Sequence, residues 1–192
     1  GVFAVGMIAS TQQILSRQLM ESYLGVNPGN AVIATTPFDE DLLKAIRRMP
    51  EVEDAAARLS VIGRVSLGPG RWRDITLFAL PDYENIAINK VEPQSGPWPP
   101  PRNALLIERN SLPLLEAEIG DAIVVELPDG RQRELLLAGT AHDINLPPAR
   151  FINQAFGYVS FDTAERWGYP RQYTSLSITV AENKADAEHI QR

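Results

Sequence analysis

The stretch Arg58-Leu59-Ser60-Val61-Ile62-Gly63-Arg64-Val65-Ser66-Leu67-Gly68-Pro69-Gly70 decides the fold of this 192-residue chain. Apolar and polar side chains alternate along most of it, and a period of two places them on opposite faces of a β-strand. Gly68-Pro69-Gly70 then turns the chain into a second run of alternating residues over 75–79. The pattern predicts two antiparallel strands joined by a tight turn.

The residues before this hairpin add a helix and another strand. Asn30–Thr36 is apolar and β-branched, which is typical of a buried strand. Thr36-Pro37-Phe38-Asp39 predicts a helix start, with Thr36 as the N-cap and Pro37 in the first turn. Apolar residues at helical spacing follow, and Pro50 ends the helix. The first section is therefore predicted to be β-α-β-β.

The segment after the hairpin is rich in proline and then in short strands. Five of the 15 prolines lie within Pro93–Pro101, and proline removes the N–H donors that a sheet needs, so we predict a connector there. Ala104–Ile107 and 123–127 have strand patterns. Pro128-Asp129-Gly130 predicts a hairpin turn that returns through Gln132–Ala138. Short strands with tight turns favour a small barrel or sandwich.

The last section returns to a mixture of helices and strands. His142–Phe156 has little periodicity and is predicted to be a long loop. Gly157–Phe161 is predicted to be a strand, Asp162–Trp167 a short capped helix, and 175–180 a final strand before a further helix. This β-α-β-α order mirrors the opening section. The simplest architecture is one α/β subdomain built from both ends of the chain, with a β-rich subdomain inserted between them.

Both ends of the sequence suggest helices. Gly1–Ser10 carries no charge, but it is about half of the roughly 20 apolar residues that a membrane span needs. We interpret it as the last turns of a transmembrane helix; the alternative is an apolar core helix or a first strand. Ser10–Tyr23 continues as an amphipathic helix, and Asn183–Arg192 begins another.

Composition excludes several classes of function. Eighteen Lys and Arg against 24 Asp and Glu give a net charge of −6, which argues against a nucleic-acid partner. The absence of cysteine excludes disulfides, thiolate catalysis and Cys-type zinc sites. His142-Asp143 is the one pair that could bind a metal or act as a base, but adjacent residues of an extended chain point to opposite faces. We therefore predict no catalytic, cofactor-binding or metal-binding residue, and no enzyme.

Several short segments carry a resemblance to a known family. They are Pro50–Ala57, Leu77–Tyr83, Asn103–Ile107, Ile119–Val125 and Ala138-Gly139-Thr140. The first resembles the end of a helix before a strand, and the second a strand that leads into a proline–tyrosine passage. The third resembles a strand, and the fourth a Gly-Asp turn with the strand after it. The last resembles a glycine that ends the next strand. The pattern is similar to the periplasmic core domain of ABC-transporter permeases of the macrolide-exporter and lipoprotein-releasing types.

The resemblance implies an α+β fold with a split α/β porter-like subdomain and an inserted β-rich sabre-like subdomain. Residues 1–25 would be the end of a transmembrane helix and a stalk helix. Residues 26–85 and 157–192 would form the porter-like subdomain, and residues 86–156 the inserted subdomain and a loop. We also expect the two chain ends to lie side by side, facing the same bilayer surface.

The implied function is that of a non-catalytic extracytoplasmic domain at the cell membrane. It would couple transmembrane-helix motion, driven by a separate ATPase, to the handling of a substrate or partner outside the membrane. The implied partners are a cytoplasmic ATP-binding subunit reached through the transmembrane region, a second permease copy, and an unidentified substrate or extracytoplasmic protein. The alternative function is a secreted or lipoprotein-like binding module, in which the apolar start is a core element.

Overall fold

A computed structural model describes residues 25–180 as an α+β fold, in which a mixed sheet of nine strands carries a few short helices. The strands are β1 (Ala31–Phe38), β2 (Val52–Ser66), β3 (Trp72–Ala79), β4 (Glu92–Ser95), β5 (Ala104–Glu108), β6 (Ala122–Glu126), β7 (Gln132–His142), β8 (Ala155–Tyr158) and β9 (Tyr173–Val180). The helices are α1 (Glu40–Ile46), α2 (Ala149–Ile152) and α3 (Phe161–Arg166), with a 3-10 turn at Leu112–Leu114. The predicted α+β class is confirmed. The predicted helices at both chain ends, and the ends themselves, lie outside the described residues.

Strand β2 joins the two parts of the sheet. The strand order is β1-β9-β2-β3-β8-β5-β7-β4, and β6 pairs with β2 and β7. The first half of β2 pairs with β9, from Val52 to Arg58, and the second half pairs with β3, from Leu59 to Ser66. The pairs β3–β8 and β5–β7 are parallel. The division into subdomains at residues 86 and 156 stays a prediction.

The hairpin predicted from the sequence is confirmed. Strands β2 and β3 pair antiparallel from Leu59 opposite Ala79 to Ser66 opposite Trp72. Gly68 and Gly70 have φ of 109° and 70° in the connecting turn, a backbone region that glycine adopts without strain. The alternation predicts burial correctly, because Val61 and Val65 are in the core whereas Ile62 between them is 65% exposed.

The predicted start of the first helix is wrong by three residues. Strand β1 continues through Pro37 to Phe38, and the N-cap is Asp39 rather than Thr36. The buried ring of Phe38 packs edge-on against Tyr173 with 5.6 Å between ring centroids, which keeps the chain extended to this point. Pro37 is tolerated because the pairing of β1 with β9 is irregular between Ala34 and Phe38. The helix also ends early, at its C-cap Arg47.

Two segments predicted to lack regular structure contain strands. The proline-rich connector begins with β4, where Pro93 lies opposite Ala141 of β7. A proline fits there because β4 is an edge strand of the sheet and its register with β7 is irregular beside it. The predicted loop His142–Phe156 starts at the last residue of β7 and contains α2 and the first half of β8. Residues of β8 are buried on both faces, so the strand shows no alternation.

Two apolar clusters fill the interior. The larger cluster lies under β2, β3, β5 and β7 and includes Leu77, Leu105 and Leu137. The smaller cluster is largely aromatic and consists of Phe78, Leu80, Tyr83, Val91, Ala141, Phe156 and Tyr158. Trp98 packs against this cluster and donates a hydrogen bond from its indole nitrogen to the Tyr83 carbonyl at 2.7 Å. The smaller cluster thereby anchors the Leu80–Val91 segment, which forms one wall of the groove described next.

Candidate functional site

A groove with a volume of about 680 Å³ opens between α1, the first half of β2 and the Leu80–Val91 segment. Its wall is apolar along much of its length. The apolar lining residues are Leu43, Ala56, Ala57, Leu80, Pro81, Ile86, Ala87, Ile88 and Val91. The remaining lining residues are polar or charged: Asp39, Glu40, Arg47, Arg58, Asp82, Asn85, Asn89, Arg171, Tyr173 and Ser177.

One side of the groove is a strand edge without a neighbour. The first half of β2 pairs with β9 on one side, and within residues 25–180 no strand pairs with its other side. Pro81 explains why β3 stops short. In the β2–β3 register Leu59 lies opposite Ala79, so continued pairing would place Pro81 opposite Ala57. Proline has no N–H to donate, and the chain turns away from the sheet at this point.

Backbone groups of β2 point outward from this edge, on which Ala57 lines the groove. The Ala55 N–H donates to Asp54 Oδ1 at 2.7 Å, and the Ala55 carbonyl accepts from Arg47 Nε at 2.7 Å. Both bonds therefore point away from β9. Because the direction of backbone polar groups alternates along a strand, Ala57 presents its N–H and carbonyl on the same side. Leu59, two residues further on, pairs with β3 on that side, which agrees with this alternation of backbone direction.

Arg58 forms the charged floor of the groove. Its guanidinium lies 3.9 Å from the centroid of the Phe78 ring, and its Nη1 is 3.7 Å from Asp143 Oδ2. Tyr158 donates from its hydroxyl to the same Oδ2 at 2.7 Å. The Arg58 Nε is buried and has no hydrogen-bond partner in the part of the chain that the structure describes. Arg58 is thus held in place with one donor unused.

Burial and a neighbouring charge keep the Tyr158 hydroxyl protonated. Burial raises the pKa of Tyr158 well above its usual value, and the negative charge of Asp143 raises it further. The Tyr158 hydroxyl therefore remains a neutral donor to the Asp143 carboxylate. The side chain of Asp143 is 0% exposed, so Tyr158 and Arg58 stabilise a carboxylate that would be costly to bury alone.

The pair His142-Asp143 does not form a joint site. His142 Nδ1 lies 3.3 Å from Glu108 Oε1, and His142 Nε2 lies 3.1 Å from Arg109 Nη2. Arginine only donates, so Nε2 accepts and the proton sits on Nδ1, which donates to Glu108. Asp143 instead contacts Tyr158 and Arg58. Within residues 25–180 no group of three or more His, Asp or Glu side chains is arranged to hold a metal ion. The expected absence of catalytic, cofactor-binding and metal-binding residues stays a prediction.

The acidic side chains at the rim are already hydrogen-bonded. Asp39 caps α1, and Glu40 Oε2 accepts from the Tyr173 hydroxyl at 2.8 Å. Burial, helped by this bond to Glu40, raises the pKa of Tyr173 to about 12. The side chain of Asn85, with nearby backbone amides, holds the pKa of Asp82 below its usual value. The rim carboxylates therefore offer few free acceptors, in contrast to the unused donor of Arg58.

Sequence reasoning singled out neither the free edge nor Arg58. The signal that could have found them is the unequal length of the paired strands. Strand β2 has 15 residues but β3 has 8 and is followed by Pro81, so part of β2 has to pair elsewhere or remain open.

The fold is that of an extracellular domain of an ABC-type transporter. The solved structure that shows this is the extracellular domain of the noncanonic ABC-type transporter YknZ from Gram-positive bacteria. The two share 13% sequence identity with a TM-score of 0.51, over 83% of this chain and 85% of that one. A weaker likeness, with a TM-score of 0.46 and 8% identity over 83% of this chain and 77% of the other, is to the periplasmic region of MacB from Actinobacillus actinomycetemcomitans.

The expected fold, that of the extracytoplasmic domain of an ABC transporter, is confirmed by the likeness to YknZ. No family profile matches the sequence. No curated protein matches it either. Between residues 25 and 180, no helix has both the length and the apolar character to cross a bilayer.

Proposed function

We propose that this chain is the non-catalytic extracytoplasmic domain of an ABC-transporter permease in the cell membrane. The observation that carries the proposal is the fold, which the chain shares with the extracellular domain of YknZ. The partners are a separate cytoplasmic ATP-binding subunit, reached through transmembrane helices, and a second permease copy. The domain handles a substrate or partner outside the membrane.

The position of β1 and β9 supports this proposal. The Asn30 N–H donates to the Ile178 carbonyl at 2.8 Å, and the Val180 N–H donates to Asn30 Oδ1 at 3.0 Å. Strand β1 therefore begins beside the residue where β9 ends. An extracytoplasmic domain set between two membrane helices requires this arrangement, because both connections have to reach the same bilayer surface.

The length of β2 supports a role in transmitting movement. One end of this strand pairs with β9, beside the start of β1, and the other end pairs with β3 and β6. A displacement of the β1–β9 end is passed along one continuous strand to the rest of the sheet. In this proposal residues 26–85 and 157–192 form the porter-like subdomain next to the membrane, and residues 86–156 form the inserted β-rich subdomain.

Cysteine labelling of the full-length protein in intact cells tests the location. These 192 residues contain no cysteine, and Ile62 is 65% exposed on β2, so labelling is compared with that of the unmodified full-length protein. We expect Ile62→Cys to react with a membrane-impermeant maleimide without lysis, and the labelled protein to sediment with membranes. The matched control is Val61→Cys, because Val61 is 2% exposed and should react only after denaturation. Labelling that requires lysis would overturn the proposal, and labelled protein in the soluble extracellular fraction would support the secreted binding module instead.

A further inference from the structure

We propose that the groove binds an extended segment of another protein, which adds a short strand beside Ala57 of β2 and places an acidic side chain against Arg58. This inference rests on the geometry of the groove. It applies equally to a transporter domain and to a secreted binding module.

The open strand edge selects a polypeptide as the occupant. An unpaired edge offers alternating donors and acceptors at strand spacing, and an extended peptide satisfies both through its own backbone. Ala57 provides one N–H and one carbonyl on this edge, while the Ala55 N–H is occupied by Asp54 Oδ1 and the Ala55 carbonyl by Arg47 Nε. The added strand is therefore short and centred on Ala57. Arg47 also restricts the length of edge that is open, as charged side chains commonly do at sheet edges.

The size and walls of the groove fit the side chains of such a strand. Its volume of about 680 Å³ lies within the range of about 300–1,000 Å³ that is usual for ligand sites. Side chains of a strand alternate between two faces, so one face of the added strand contacts the apolar wall. That wall is formed chiefly by Leu43, Leu80, Ile86, Ile88 and Val91.

Arg58 selects an acidic residue in the bound segment. The Arg58 side chain lines the groove and is 19% exposed, and its guanidinium lies between Phe78 and Asp143. A carboxylate is the acceptor that forms the strongest hydrogen bond with such a donor. The carboxylates of this chain at the rim are engaged elsewhere, for example Glu40 with Tyr173. The acceptor is therefore expected to come from the partner.

Peptide binding to the purified 192-residue chain tests the proposal. The probe is a fluorescein-labelled peptide of alternating valine and threonine with a central glutamate, measured by fluorescence anisotropy. We expect saturable binding that weakens about 10-fold or more when lysine replaces the glutamate. Two further peptides carry N-methyl groups on alternate amides. In one peptide these amides lie along one edge of the strand, and in the other they lie along the opposite edge. One of them should lose binding and the other should keep it, because only one edge pairs with β2.

Hydrogen exchange locates the binding. The Ala57 amide should exchange at least about 10-fold more slowly when peptide is bound. The Ala56 amide, which faces β9, is the matched control and should change little. Arg58→Gln should weaken the glutamate peptide but not the lysine peptide; if this variant melts early, the glutamate-to-lysine exchange on the unmodified chain makes the same test.

Three outcomes would overturn the proposal. Equal binding of both N-methylated peptides would show that no strand is added. Unchanged exchange at Ala57 under saturating peptide would place binding elsewhere. A chain that forms dimers which the peptide dissociates would identify a second copy, and not another protein, as the occupant. None of these outcomes alters the maleimide labelling expected for the proposed transporter domain, so the two proposals fail separately.

Discussion

Asp143 illustrates how single residues set the properties of this core. Its carboxylate is completely buried between Tyr158 and Arg58, and both partners contact the same oxygen. Removing one partner of such a group commonly costs several kcal/mol, about 3–5, because the remaining charge is left uncompensated. The cluster also keeps Arg58 in the position from which it reaches the groove.

Tyr158 makes the domain sensitive to alkaline pH. Burial raises the pKa of its hydroxyl in the folded state above the usual value of 10.0. The unfolded chain therefore releases this proton first, and stability is fully present below pH 10 and declines as the pH rises beyond it. We expect the free energy of unfolding to fall by up to about 1.4 kcal/mol per pH unit from this one group. Urea unfolding between pH 8 and 11 measures the slope.

The control for this prediction is Tyr158→Phe, which removes the titrating hydroxyl. Its slope above pH 10 should be smaller than that of the unmodified chain. The slope should not vanish, because burial also raises the pKa of Tyr83. An identical slope in the two proteins would contradict the assignment to Tyr158.

Gly139 is required by a close approach of β4 to β7. The sequence resemblance placed this glycine at the end of a strand, but β7 continues beyond it to His142. A Cβ at position 139 would collide with the Ser95 carbonyl and lie 2.8 Å from the Gly96 Cα. We expect Gly139→Ala to lower the free energy of unfolding by about 1–3 kcal/mol in urea titrations followed by circular dichroism. Gly29→Ala is the control, because its Cβ would meet its nearest neighbours at an ordinary 3.4 Å; an equal loss in both variants would refute the explanation.

At the scale of elements, the N-cap of α1 is Asp39 in the structure, whereas the sequence pattern predicted Thr36. Asp39 Oδ1 accepts from the amides of Asp41 and Leu42 at 3.2 and 3.1 Å. We expect Asp39→Ala to reduce the free energy of unfolding by about 1 kcal/mol. Thr36→Ala, at the cap position that the sequence suggested, should change it by less than about 0.5 kcal/mol. Urea unfolding of both variants decides between the two positions, and a larger effect at Thr36 would restore the sequence-based assignment.

Alternating burial made β2 predictable, whereas β5 was predicted from its apolar run although all of its residues are buried. Strand β2 shows this alternation and was found with its turn into β3, although residues 75–79 of β3 are buried on both faces. Strand β8 was only partly found, because it has only four residues and Gly157 interrupts its apolar run. Strand β4 was missed because Pro93 argues against a strand unless the edge position is known. Local patterns report burial of alternate faces, and they contain little information on the place of a strand in its sheet.

At the scale of the whole molecule, the class of fold could be predicted but the groove could not. The order of helices and strands along the chain was sufficient for the α+β class. The groove instead combines α1, β2, the Leu80–Val91 segment and the start of β9, which are distant in sequence. Its decisive feature is the missing pairing partner of Ala57, and this depends on the register between two strands. Pro81 is the one local signal that indicates it.

The adjacent ends of β1 and β9 determine how the domain responds to pulling. Ala31 lies opposite Ile178 in an antiparallel pair, so loads applied at residues 30 and 180 in opposite directions act on the outermost rung of the ladder first. Hydrogen-bonded pairs that are loaded in this way break one after another, each at low force. A force that moves both strands in the same direction loads none of these pairs. The domain therefore tolerates being lifted or tilted as a unit, and the β1–β9 ladder opens when residues 30 and 180 are drawn apart.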